Sequence, residues 1–126
     1  MSYLNQKTIK NNISFTGIGL HSGKKVKVTL KSSEPDTGIV FHRVDLKNKN
    51  LIYPNFKNVS NTSLNTTVSN EFGIKVSTIE HLMGAIFGLG IDNLLIEIDN
   101  EEVPILDGSA KEFIGKILSA GVKTSN

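Results

Sequence analysis

Ser77-Thr-Ile-Glu-His-Leu-Met-Gly-Ala-Ile-Phe-Gly-Leu-Gly-Ile-Asp-Asn-Leu-Leu-Ile-Glu-Ile98 changes period partway along its length. Ile79, Leu82, Met83, Ile86 and Phe87 recur at i, i+3, i+4, i+7 and i+8, the spacing of one helix face, and are expected to form its core side. From Asn93 the period shortens to two: Leu94, Ile96 and Ile98 share one side, as in a half-buried strand. Working outward, Lys25 to Lys31 alternates in the same way, with Val26, Val28 and Leu30 on one face. Ile9–Gly17 and Gly38–Val44 also read as strands, and the turn Glu34-Pro-Asp-Thr-Gly38 predicts a hairpin before the latter. Leu46 to Asn61 is polar, contains Pro54, and is expected as an excursion at the sheet edge. Leu64–Ser69 and Ile74–Val76 are short strand candidates around Phe72-Gly73.

Two helix starts match the capping box, Ser77-Thr-Ile-Glu80 and Ser109-Ala-Lys-Glu112. Their glycine stops are Gly88 or Gly90, and Gly121. In the second helix Phe113, Ile114, Ile117 and Leu118 form the apolar stripe, with Lys111, Glu112, Lys116 and Ser119 toward water. The expected fold class is α+β: a mixed sheet of about five strands with two helices packed on one face, a two-layer sandwich. There is no internal repeat and no linker that would split the chain.

Its 126 residues suit one domain, burying about two thirds of the surface that the unfolded chain exposes. With no cysteine, disulfides, thiolate metal sites and thiol catalysis are excluded. The longest apolar run, Leu82 to Ile91, is interrupted by glycines and falls short of the ~20 residues of a membrane span. The amino end lacks the apolar stretch of a secretory signal, so a cytoplasmic location is expected. Residues 1–60 carry ten basic and three acidic side chains, residues 61–126 four and nine. This asymmetry reads either as weak attraction between halves of one domain or as a basic surface for an anionic partner. Arg43 is the sole arginine, the residue suited to bidentate phosphate and base-edge contacts, so nucleic acid is not an expected partner; a small phosphorylated ligand stays open.

The first helix lacks the charged outer face of a solvated helix. At about 100° per residue, the side opposite the apolar stripe holds His81, Gly84, Ala85 and Gly88, and glycine costs a helix about 1 kcal/mol relative to alanine. One reading is that another domain or partner covers this face. The other is a short, poorly formed helix partly hidden by its own loops.

Glu80 and His81 fall in the first turn, where unpaired amides and the helix dipole concentrate positive potential. A carboxylate beside an imidazole can act there as a proton acceptor next to a metal ligand. Equally, Glu80 can cap the helix and His81 can be structural. His81 has no histidine at i+4, and His21 and His42 are the only others, so a three-ligand site within this chain would need carboxylates. Thr16-Gly-Ile-Gly-Leu-His-Ser-Gly23 has the look of a phosphate loop, but a strand rather than a helix follows it, which favours a bulge or tight bend. Ile91-Asp-Asn93 and Pro104-Ile-Leu-Asp-Gly-Ser-Ala110 read as rigid connections, with Asp107 organising the turn before the second helix.

Four of these segments, Thr16–Lys24, Ser77–Leu82, Gly88–Asn93 and Pro104–Ala110, in this order and spacing, resemble the UDP-3-O-acyl-N-acetylglucosamine deacetylases of lipid A biosynthesis. The resemblance covers about Gln6 to Gly121 and implies that residues 1–126 are the amino-terminal domain of a two-domain deacetylase, the second domain being absent from this chain. It implies a zinc cofactor with His81 as one ligand, two further ligands in the missing domain, and Glu80 as general base in hydrolysis of the sugar's N-acetyl group. It implies contact of a UDP-linked acylated amino sugar with Thr62, Ser63, Leu64 and Asn65, although Ser63 and Asn65 depart from the more apolar or sulfur-bearing residues sometimes found there. His21 and Asp107 match family positions as site supports. It further implies that the family's second domain covers the first helix, and that this chain alone is inactive. A non-catalytic binding module on the same fold is the alternative.

Overall fold

The computed structural model describes residues 5–55, 59–61 and 65–125. In chain order the elements are β1 (Lys7–Ile9), β2 (Ile13–Ile18), β3 (Lys25–Ser32), β4 (Ile39–Arg43), β5 (Leu51–Ile52), β6 (Val59–Asn61), β7 (Thr66–Ser69), β8 (Lys75–Ser77), α1 (Glu80–Gly88), β9 (Leu94–Ile98), α2 (Lys111–Ala120) and β10 (Val122–Thr124). The class is α+β, as expected, with a mixed five-stranded sheet ordered β2-β3-β9-β4-β5.

The most apolar strand, β9, sits at the sheet's centre, antiparallel to β3 and parallel to β4, so that Leu30, Ile96 and Phe41 lie side by side. Alternation puts Val26, Val28, Leu30, Phe41, Leu94, Ile96 and Ile98 on one buried face. They share a core with Leu82 and Ile86 of α1 and Phe113 and Ile117 of α2, and Phe15 meets Phe113 edge-on at 5.8 Å between ring centroids. The other face is polar: Glu97 pairs with Lys31 at 3.2 Å and lies 3.7 Å from His42.

Two smaller sheets flank this core, β6-β7-β8 and the pair β1-β10. Buried Arg43 joins the three-stranded sheet to the main one. Its Nη1 donates to the Lys75 carbonyl at 2.9 Å, while Nε and Nη2 grip the Asp45 carboxylate at 2.9 and 2.7 Å. Ile91-Asp-Asn93 is structural: Asp92 accepts from the Lys7 amide, and buried Asn93 accepts from the Gly38 amide and donates to Gln6.

Several local expectations are corrected. The hairpin at Glu34–Gly38 does not form, because β9 inserts between β3 and β4; Gly38 is taken by Asn93 and Leu94 instead. The strand expected over Ile9–Gly17 breaks at Lys10–Asn12, where the Lys10 and Asn11 amides bond the carbonyls of Gly121 and Ala120, and β1 leaves to pair with β10. That partner strand and the short β5 and β6 had no clear signal within their polar surroundings. In α1 the buried arc is Leu82, Met83, Ala85 and Ile86, whereas Phe87 is 65% exposed. The helix is rotated so that small Ala85 packs inward, and Phe87 shares the outer face with Gly84 and Gly88. In α2, Leu118, expected on the buried stripe, is 56% exposed, whereas Ala120 is buried.

Neither capping box forms. Ile79 and Ala110 are the N-caps, and neither carries a side-chain cap bond. The Ser77 hydroxyl donates to the Glu101 carbonyl instead, while the Ser109 hydroxyl still accepts the Lys111 amide at 3.2 Å.

Candidate functional site

The start of α1 is built by three neighbours rather than by its own cap. Strand β8 ends at Ser77, whose amide donates to Glu101 O at 2.7 Å and whose carbonyl accepts from the Val103 amide at 3.0 Å. Thr78 then turns the chain with φ +60°, a left-handed conformation uncommon for a β-branched residue. Its buried hydroxyl donates to Glu102 Oε2 at 2.6 Å. Finally, the Ile79 amide donates to Thr66 O at 3.3 Å, and Glu80 Oε1 accepts the Thr66 amide at 3.2 Å. Glu80 therefore caps the first residue of β7, not its own helix.

This arrangement leaves Glu80 and His81 half-exposed on successive residues of the first turn. Glu80 Oε2 and the His81 ring have no hydrogen-bond partner among the described residues. Glu80 borders a groove of about 290 Å³ lined also by Pro54, Asn55, Val59, Thr66, Ile79, Met83 and Phe87. Glu80, Met83 and Phe87 are spaced i, i+3 and i+7, so the exposed phenyl ring and the carboxylate belong to one side of the helix. Beyond Glu80 no charged side chain follows until Asp92.

Glu102 is the charge buried beneath this turn, 2% exposed. Besides Thr78 it accepts the His21 amide at 3.0 and 3.1 Å and the Ser22 amide at 2.8 Å. Burial pushes its carboxyl up, but the Thr78 hydroxyl, the Ser22 and His21 amides and the Ser22 hydroxyl together hold it below its ordinary 4.5. After β2 the chain makes a tight turn over Gly19–Gly23 that closes on this carboxylate. The Gly23 amide bonds Gly19 O and the Gly19 amide bonds Lys24 O, both at 2.9 Å. A Cβ on Gly19 would lie 2.4 Å from Ser22 Oγ and 2.5 Å from Glu102 Oε1, so a side chain there would have to displace both.

Of the other candidate residues, Asn65 directly precedes Thr66, adjoining Glu80's partner, and its Oδ1 accepts the Thr67 hydroxyl at 3.0 Å. Thr62, Ser63 and Leu64 lie outside the described residues. His21 has an exposed side chain in a turn tied to the α1 start through Glu102. Asp107 bonds the Ser109 amide and hydroxyl within its own turn, the organising role expected of it. Sequence reasoning missed Glu102 and Thr78: Glu101 and Glu102 are adjacent and alike, and only the pairing of Ser77 with Glu102 decides which carboxylate is buried.

Among the described residues no group of three His, Cys, Asp or Glu side chains could hold a metal ion. The donor chemistry at the α1 start is one half-exposed imidazole beside one carboxylate. It fits a metal whose remaining ligands come from outside the described chain.

Among the described residues, no helix is long and apolar enough to cross a membrane. In comparison with known proteins, the family described as UDP-3-O-acyl N-acetylglycosamine deacetylase matches residues 6–126. The protein named UDP-3-O-acyl-N-acetylglucosamine deacetylase in Haemophilus influenzae (strain PittEE) is 48% identical over 124 residues, covering 98% of this chain and 40% of that protein. Its namesake in Citrifermentans bemidjiense is 52% identical over 120 residues, covering 95% and 39%. That of Colwellia psychrerythraea is 49% identical over 123 residues, covering 98% and 40%. The chain spans about 40% of the length of these relatives. With the match running from Gln6 to the last residue and taking in both the α1 start and the turn closed on Glu102, this chain belongs to the UDP-3-O-acyl N-acetylglycosamine deacetylase family.

Proposed function

We propose that residues 1–126 are the amino-terminal domain of a two-domain, zinc-dependent deacetylase. The enzyme removes the N-acetyl group of a UDP-linked 3-O-acylated N-acetylglucosamine in the lipid A pathway, in the cytoplasm. The observation that carries this reading is the juxtaposition of Glu80 and His81, both half-exposed in one helical turn, with one carboxylate oxygen held by Thr66 and the other without a partner among the described residues. The relatives' names and lengths support the activity and the second domain.

His81 would hold the zinc from this side, with two further ligands coming from the second domain. Zinc, when bound, supplies Lewis-acid chemistry that polarises the amide carbonyl and makes water more acidic. Glu80 accepts the proton of the attacking water at Oε2, while the Thr66 amide fixes Oε1 and so the plane of the carboxylate. Water oxygen bonds to the acetyl carbon, the C–N bond breaks to give acetate and the free 2-amino group, and the proton goes on to the leaving nitrogen. Thr62, Ser63, Leu64 and Asn65 are the residues that would contact the sugar substrate, and His21 and Asp107 would support the site from their turns. The outer face of α1, with Gly84, Phe87 and Gly88, is the surface that the second domain covers.

The test combines this chain with the second domain of a relative and follows acetate release with zinc present. Turnover is expected from the combination and none from either part alone. Glu80→Gln should remove turnover by about 10²-fold or more while zinc stoichiometry is unchanged. A combination that binds zinc and substrate yet releases no acetate would leave only a binding module.

A further inference from the structure

We propose that Glu102 is a positioning residue for the Glu80–His81 pair: its buried carboxylate locks the left-handed turn at Thr78 from which α1 departs, and ties that turn to the His21 loop. The proposal rests on the reading of Glu80 and His81 given above, and it adds a residue that touches neither the groove nor the reacting atoms.

Three features carry it. The first is the donor set: a carboxylate 2% exposed is tolerated only when its lone pairs are filled, and here the Thr78 hydroxyl and the His21 and Ser22 amides do so, with the Ser22 hydroxyl beside them. The second is strain. A threonine at φ +60° persists where its surroundings over-determine it, and the hydroxyl bond to Glu102 at 2.6 Å is the only side-chain hydrogen bond that Thr78 makes among the described residues. The third is access: Gly19 leaves no Cβ in the space that Glu102 Oε1 occupies, so the loop backbone closes directly on the carboxylate. The two residues after Thr78 are the N-cap Ile79 and Glu80 itself. A change of direction at Thr78 therefore acts directly on the first turn of α1, whose other anchors at this end are the bonds of Ile79 and Glu80 to Thr66.

Amide exchange and steady-state kinetics test this on the two-domain protein, with Glu102→Ala, Glu102→Gln and Thr78→Val. Glu102→Ala should speed exchange at His21 and Ser22 and also at Ile79 and Met83 by about tenfold or more, with Leu30 and Ile96 in the central sheet unchanged. It should lower kcat by about 10–100-fold at nearly constant KM, the signature of a displaced reacting group. Glutamine keeps an oxygen toward the two amides and turns its amide toward a Thr78 hydroxyl able to accept, so Glu102→Gln should restore both readouts to within about threefold of wild type. Thr78→Val should loosen Ile79 and Met83 while leaving His21 and Ser22 protected. Unchanged exchange at Ile79 and Met83 in Glu102→Ala, a rise in KM in place of a fall in kcat, or a glutamine variant no better than alanine would each overturn the proposal. If Glu102→Ala does not fold, the other two variants decide it by the same criteria. If the wild type shows no turnover, the enzymatic reading fails, and exchange at Ile79 and Met83 still decides the coupling.

Discussion

Arg43→Met removes the one guanidinium that links the five-stranded sheet to β8, and its cost can be worked from the contacts. Three charge-assisted hydrogen bonds disappear, two to Asp45 and one to the Lys75 carbonyl. The Asp45 side chain is 30% exposed, so water re-solvates it and most of that pair's gross strength is recovered. The Lys75 carbonyl loses its arginine donor, and methionine refills much of the volume. The net loss is about 2–3 kcal/mol, below the range for a fully buried pair left with an unpaired charge. Urea denaturation should show it as a fall in midpoint of roughly 1–2 M. The cycle completed with Asp45→Asn should give a coupling of about 1–2 kcal/mol. pH supplies a second readout. The Arg43 hydrogen bond, against some burial cost, holds the Asp45 carboxyl below its ordinary 3.8. A folded-state value that is depressed contributes stability that is fully present above 3.8 and lost as pH falls through the lower folded value. Wild type should therefore lose its advantage over Arg43→Met in that acid window, while Glu102, depressed from 4.5, destabilises both equally on acidification. A midpoint within error of wild type, together with zero coupling, would show that the arginine clamp contributes nothing net to the fold.

Two glycine substitutions separate internal packing from interdomain packing. Gly84 lies mid-helix, and a Cβ added there would meet nothing within 4 Å. Gly84→Ala should raise the stability of residues 1–126 by about 1 kcal/mol by calorimetry, yet weaken association with the second domain if that domain packs against the α1 face. Gly19→Ala, whose Cβ would meet Ser22 Oγ and Glu102 Oε1, should destabilise the chain by about 1–3 kcal/mol in thermal unfolding, and unchanged stability would show that the loop yields freely.

The change of period between Ile79 and Ile98 was enough to read a helix followed by a strand, and alternation in Lys25–Lys31 and Asn93–Ile98 was enough to read the buried face of the sheet, because burial on one side imposes these periods on any sequence. The Glu80–His81 pair was equally legible, since neighbouring residues keep their spacing whatever the fold. Which way α1 is rolled was not: Ala85 and Phe87 differ in size and both are apolar, so the sequence pattern placed the larger one inside, and the shape of the core beneath the helix chose the smaller. Strand order was likewise hidden, because β9 reaches its place between β3 and β4 through contacts far apart in the chain. Composition and local pattern thus determined the element types, the apolar faces and the chemical groups on offer. Tertiary structure alone decided that one of two adjacent glutamates is buried, that it holds Thr78, and that Glu80 points toward β7 rather than its own helix end, because each of these depends on hydrogen bonds that form only once distant strands have paired.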